Sequence, residues 1–182
     1  MRLFVGLALP DEIKDELAAL IERMRAAAPD AKWVPRDNLH LTFSFLGEVG
    51  EERVPAIADA LRGAAASVRG PIPTRLHGTG AFPSPRRARV VWVGLDDGEG
   101  RIGKLAEAVA TAVEPLGYPK EKRPWTAHLT LARLRVPGNV SELLGETVAE
   151  SSFNVSEVTL YRSRLARPAP HYEPLQRFPL AT

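Results

Sequence analysis

The sequence predicts a mixed fold of strands and helices built by internal duplication, and three observations carry that prediction. Residues Asn38–Leu46 read Asn-Leu-His-Leu-Thr-Phe-Ser-Phe-Leu, alternating apolar and polar from Leu39 as a half-buried strand does. Trp125–Leu134 reads Trp-Thr-Ala-His-Leu-Thr-Leu-Ala-Arg-Leu and does the same. The two stretches share one offset with their surroundings. Val5-Gly6-Leu7 lies 88 residues before Val93-Gly94-Leu95, and His40-Leu41-Thr42 lies 88 before His128-Leu129-Thr130. Leu17 and Leu46 match Leu105 and Leu134 at the same spacing. A strand, a helix and a His strand that recur without a gap mark a duplication. The expectation is one domain over 1–182 with repeat cores at about 3–46 and 91–134. A pseudo-twofold axis would turn the two His strands toward each other across a cleft.

In chain order, Leu3–Leu9 is a continuous apolar run that reads as a buried strand. Pro10 and Asp11 open a helix in which Ile13, Leu17, Leu20, Ile21 and Met24 recur at helical spacing until Pro29. Trp33–Asp37 leads into the first His strand, and Gly47–Gly50 turns out of it. Glu51–Val68 predicts a second amphipathic helix, with Pro55 tolerable near its start. Gly70–Pro85 is rich in Gly and Pro and predicts one or two strands. Arg89–Leu95 is a strand, and about Glu99 to Leu116 a helix that Gly117 ends. Tyr118–Pro124 is a charged loop before the second His strand. Val140–Glu150 reads as a short helix, and Phe153–Leu165 and Tyr172–Leu180 as closing strands.

Composition narrows the function. Hydrophobic residues make up 45% and charged residues 25%, the proportions of an ordinary globular domain. Lys plus Arg number 24 against 22 Asp plus Glu, so a net +2 points to local rather than extensive contact with polyanions. The absence of Cys excludes disulfides, thiol catalysis and cysteine metal sites. The apolar start is too short for a signal peptide, and no run reaches membrane-spanning length, so a cytoplasmic, monomeric protein without membrane contact is expected.

Alternation sends Leu39, Leu41, Phe43 and Phe45 into the core and leaves His40, Thr42 and Ser44 on the open face. In the second strand His128 and Thr130 share a face opposite Leu129 and Leu131. A third His-x-Thr occurs at His77-Gly78-Thr79, but it sits beside glycines without strand alternation and reads as structural or exposed. His171 follows Pro170 and reads as surface. An imidazole titrates at about 6.5, so a pair can offer one protonated and one neutral ring near pH 7. One ring then takes a proton from a nucleophile while the other gives one to a leaving oxygen. The two Thr hydroxyls suit the non-bridging oxygens of a phosphoryl centre.

Those residues resemble the 2H phosphoesterases, specifically the RNA 2′,3′-cyclic phosphodiesterases also called 2′-5′ RNA ligases. The resemblance lies in the paired motifs His40-Leu-Thr-Phe43 and His128-Leu-Thr-Leu131. It extends through Trp33-Val34, Leu46-Gly-Glu48, Gly80-Ala-Phe-Pro83, Arg89–Gly94, Arg123-Pro124, Leu160-Tyr161 with Ser163, and Arg177–Leu180. It implies an α+β fold of two intertwined, pseudo-symmetric lobes, with antiparallel sheets lining a central cleft and helices outside. It also implies metal-free hydrolysis, without cofactor, of a 2′,3′-cyclic phosphate on an RNA 3′ end or small nucleotide to a 2′-phosphate. By the same resemblance His40 is the proton donor, His128 the proton acceptor, and Thr42 and Thr130 the phosphate-binding pair.

Arg133 matches the family's arginine after the second motif, yet strict alternation sets it on the Leu129 face. It reaches the site only if the strand bulges or ends near Ala132; otherwise it is a surface ion-pairing residue. Tyr161, Arg162 and Arg164 are candidates for the cleft wall, and Trp33, Phe45 and Trp125 for either base stacking or core packing. Three rival readings remain. A zinc or iron site lacks a His-x-x-x-His spacing or a strand-borne carboxylate beside either His. A non-catalytic module for RNA ends would want a denser basic patch. ATP-independent ligation, the reverse reaction, fits the lack of any Gly-rich Lys loop or Lys-x-Asp-Gly motif.

Overall fold

The computed structural model describes all 182 residues. Its strands are β1 (Arg2–Ala8), β2 (Lys32–Trp33), β3 (His40–Glu48), β4 (Ile72–Phe82), β5 (Ala88–Asp96), β6 (His128–Gly138), β7 (Ser152–Val155), β8 (Glu157–Arg164) and β9 (His171–Pro179). Its helices are α1 (Asp11–Arg25), α2 (Val54–Ala66) and α3 (Arg101–Val113). The strands pair antiparallel in the order β7-β4-β5-β6-β3-β1-β8-β9, with β2 added on β6. Shifted by 88, β1, α1 and β3 fall on β5, α3 and β6, as the repeat requires.

The two halves meet at β3 and β6, and there only one pair is in register, Leu41 with Leu129. These residues are repeat equivalents, so the pseudo-twofold axis runs through their pair. The copies are not identical: Gly6 stands opposite Thr42 in β3, whereas Gly94 stands opposite His128 in β6, a slip of two residues. An even slip preserves which face each side chain takes. The sheet also curls back on itself. Only Ser156 separates β7 from β8, which lie toward opposite ends of the strand order. A bridge between Arg69 and Ala181 ties the approach to β4 to the end of β9.

Leu39, Leu41, Leu129 and Leu131 face a core shared with the helices, each at most 1% exposed. The face of α1 that carries Ile13, Leu17, Leu20, Ile21 and Met24 is buried, with acids in its first turn and arginines in its last. The exposed side of α1 reaches the second half of the chain, where Glu16 accepts from Ser151 and Arg23 pairs with Glu146. No helix is long and apolar enough to cross a membrane.

Four expectations are corrected. Val140–Glu150 forms only a 3-10 turn at Leu143–Gly145, because Gly145 and the following Thr147 and Val148 do not sustain a helix. The closing run at 153–165 splits into β7 and β8, which serve different partners. Trp125 to Ala127 precede β6 rather than belong to it. Phe45 is not a core residue but 62% exposed. The cause is a bulge: Phe43 has no partner between the Val5–Ser44 and Gly6–Thr42 pairs, and the extra residue turns Phe45 to the open face.

Candidate active site

The same bulge occurs in the second copy, at the equivalent residue. Leu131 is skipped between Trp92–Thr130 and Val91–Ala132, which buries Ala132 and brings Arg133 round to the His128 side. Phe45 and Arg133 are themselves 88 apart. Each His strand therefore presents His, Thr and then, past its bulge, a third side chain that differs between copies: an aromatic ring in one, a guanidinium in the other.

The Leu41–Leu129 register sets His40 opposite Thr130 and Thr42 opposite His128. The histidines then occupy diagonal corners of a quartet, by sheet geometry roughly 7–8 Å apart and somewhat less at Cβ, with a threonine at each other corner. All four line one cleft of about 1090 Å³, together with Phe45, Arg133 and Trp125.

Each ring is oriented in the same way. The Nδ1–H of His40 donates to the carbonyl of Asn38 at 2.6 Å, and that of His128 to the carbonyl of Thr126 at 2.8 Å, the two acceptors again being repeat equivalents. A carbonyl can only accept, so Nδ1 keeps its proton and Nε2 is the atom that titrates. Thr42 Oγ1 lies 2.9 Å from His40 Nε2 and donates to it when the ring is neutral. Aromatic rings wall both imidazoles. His40 lies 4.9 Å from Phe4 and 5.0 Å from Tyr172, and His128 lies 5.1 Å from Phe82, edge to face.

Burial among those rings pushes both imidazoles below their ordinary value, with the carbonyl bonds opposing it in part. Arg133, which lines the same cleft, lowers both further. Both shifts favour the neutral form of each ring before any substrate anion is present.

Two cross-links hold the quartet together. The segment before the first motif pairs with the second strand, Trp33 with Ala132, and the Val34 amide donates to the Leu131 carbonyl at 2.8 Å. The segment before the second motif returns the contact. Trp125 Nε1 donates to the Thr42 carbonyl at 3.2 Å, and its ring packs 5.8 Å from Phe43.

Other sequence candidates lie elsewhere. Tyr161 is buried, stacked on its register partner Phe4 at 4.9 Å, and does not line the cleft. Arg164 pairs with Glu173, and Arg162 is likewise off the lining. Trp33 is core, its ring nitrogen donating to the Ala28 carbonyl. His77 is exposed and bonded to Glu150 at 3.1 Å, and His171 is exposed at the start of β9. No three His, Cys, Asp or Glu side chains stand together as a metal-ligand set. Sequence reasoning missed Tyr172 and Asn38. Tyr172 sits in a strand with no motif of its own, and Asn38 acts through its backbone, which carries no side-chain signal.

Comparison with known proteins gives one consistent answer. A model of the LigT like Phosphoesterase family matches residues 7–92 and again 93–172, one match for each half of the chain. The RNA 2′,3′-cyclic phosphodiesterase of Methanothermobacter thermautotrophicus is 33% identical, over 99% of each chain. The crystal structure of TT0787 of Thermus thermophilus has a TM-score of 0.81 and 34% identity, covering 99% of this chain and 98% of that one. The crystal structure of E. coli LigT complexed with 3′-AMP has a TM-score of 0.74 and 33% identity, covering 100% and 98%.

Proposed function

The chain belongs to the LigT like phosphoesterase family, and from that premise we propose that it hydrolyses 2′,3′-cyclic phosphate ends of RNA to 2′-phosphomonoesters with His40 and His128 as acid and base. The observation that carries the reading is the pairing of Leu41 with Leu129, with His40, Thr42, His128 and Thr130 lining one cleft and each ring's Nδ1 tied to a backbone carbonyl.

The phosphodiester brings the charge that the site lacks. Its anion favours protonation of one imidazole, offsetting the burial that favours the neutral ring. Protonated His40 stands on one side of phosphorus and neutral His128 on the other. His128 Nε2 takes a proton from water as the water oxygen bonds to phosphorus. The bond from phosphorus to O3′ breaks, and His40 Nε2 gives its proton to O3′. The two rings end with their charges exchanged and reset through solvent. Thr42 turns its hydroxyl from His40 to a non-bridging oxygen, Thr130 holds another, and Arg133 balances the equatorial charge. Each proton transfer contributes ~10²–10⁴-fold.

No step calls for a metal ion. The same reading has a cytoplasmic monomer acting on RNA 3′ ends or small nucleotides, as a single duplicated domain with repeat cores at about 3–46 and 91–134.

The test is to incubate an oligonucleotide ending in 2′,3′-cyclic phosphate with the protein and EDTA. Phosphorus NMR should show a 2′-phosphomonoester. A 3′-phosphate, or loss of activity with EDTA, contradicts the scheme. Joined product with an added 5′-hydroxyl RNA would show that the reverse reaction competes with water.

A further inference from the structure

The net charge of +2 hides an uneven distribution. Six cations line the cleft, Arg2, Lys32, Lys120, Lys122, Arg123 and Arg133, against only Glu107 and Glu121. The cleft thus carries +4 and the rest of the chain −2. Of the six, only Lys120 is ion-paired; its ammonium meets Glu107 on α3 and anchors the loop that bears Lys122 and Arg123. One cyclic phosphate carries a single negative charge, so a +4 cleft is matched to a ligand with several phosphates.

These charges fall at two ends. From the Leu41–Leu129 pair, β3 runs toward Phe45 and Glu48, and Arg2 is the partner of Glu48. The chain entering β6 runs along the same end, as the Trp125 contacts with Thr42 and Phe43 require. Arg2, Lys122 and Arg123 therefore gather at the Phe45 end, whereas Lys32 is the register partner of Arg133 at the other. The Phe45 end extends about 20 Å beyond the reaction centre at strand rise. It combines an exposed aromatic ring with three unpaired cations, the combination by which single strands are held: bases stacked, backbone tracked by charge.

Resting on the phosphodiesterase reading above, we propose that the Phe45 end of the cleft is a subsite for single-stranded RNA upstream of the reacting phosphate. Arg2, Lys122 and Arg123 take its phosphates and Phe45 takes a base. The enzyme is then built for oligonucleotide ends, and a cyclic mononucleotide fills only the centre.

The experiment compares kcat/KM for adenosine 2′,3′-cyclic phosphate and for an RNA hexamer ending in the same group, at low and at fourfold higher salt. Three extra phosphate contacts beside the reacting one make the hexamer value fall roughly 50-fold over that range, against about 3-fold for the mononucleotide. The double variant Lys122→Glu with Arg123→Glu should lower the hexamer value roughly 10-fold or more and the mononucleotide value by no more than about two-fold. Arg86→Glu with Arg89→Glu makes the same charge change on exposed residues outside the cleft, and should affect neither by more than about two-fold. Equal salt slopes, equal losses on both substrates, or an equally damaging control would overturn the subsite. If the protein turns over neither substrate, the phosphodiesterase reading fails by itself. Fluorescence anisotropy of a labelled hexamer ending in 3′-phosphate then decides the subsite. Binding that is steep in salt and weakened by the Lys122/Arg123 variant supports it; binding insensitive to both overturns it.

Discussion

Trp125→Phe is the sharpest perturbation of the site's architecture. The substitution keeps a ring against Phe43, now 5.8 Å from the indole, and removes one donor, the Nε1–H that reaches the Thr42 carbonyl at 3.2 Å. A neutral hydrogen bond of this kind is worth about 0.5–1.5 kcal/mol net, and the carbonyl left behind borders the cleft, where water can reach it. A loss of ~1 kcal/mol in a domain of this size lowers Tm by roughly 2–4 °C. The catalytic effect should be larger than the stability effect. Only the Leu41–Leu129 pair joins β3 to β6, so the Trp125 bond helps set the spacing of His40 and His128. A misplacement near 1 Å costs on the order of 10²-fold in rate. We expect kcat to fall about 10- to 100-fold with KM within about two-fold, measured by steady-state hydrolysis of a cyclic mononucleotide beside a thermal melt. A lowered Tm with kcat intact would refute the reasoning. A raised KM with kcat intact would make Trp125 a substrate contact and not a spacer.

Other outcomes follow from the same geometry. His40→Ala and His128→Ala should each lower kcat by about 10²–10⁴-fold, with the double variant little worse because the rings act as a unit. His77→Ala should leave turnover unchanged, since that ring bonds Glu150 outside the cleft; a comparable loss there would mean that the wrong motif has been chosen. Both site histidines are depressed in the folded protein, so the unfolded chain binds protons more readily as pH falls below about 6.5. Their contribution to stability is intact above that value and is lost on acidification toward the depressed folded values. Thermal melts should show Tm dropping as pH falls from about 7 to about 5, less so in His40→Gln; an unchanged slope in that variant would speak against burial as the cause. Gly6→Ala would set a Cβ 2.3 Å from the Leu41 carbonyl oxygen, and should cost on the order of 1–3 kcal/mol as β1 is pushed off β3, readable by denaturant titration.

Much of this arrangement was legible in the chain because periodicity and spacing are local. The alternation around His40 and His128 and the offset of 88 located β1 and β5, α1 and α3, and β3 and β6. The same alternation put His40 with Thr42, and His128 with Thr130, on the open face of each strand; the register that joins them, Leu41 with Leu129, came from the fold. What stayed hidden was non-local. A bulge inserts one residue without changing composition, so strict alternation buried Phe45 and turned Arg133 away, the reverse of their actual faces. The division of β7 from β8 at Ser156 leaves the apolar pattern unbroken; it is the pairing partners, far along the sheet, that differ. Imidazole charge depends on rings brought in from four other strands, β1, β4, β5 and β9, which no single motif records.

The direct test is to follow the imidazole nitrogens of His40 and His128 by NMR at neutral pH while titrating in 3′-AMP. Both rings should report one dissociation constant and one equivalent of ligand, both starting neutral and one of them gaining a proton at Nε2. Movement of a single ring, or two different constants, would mean that the histidines do not share a phosphate.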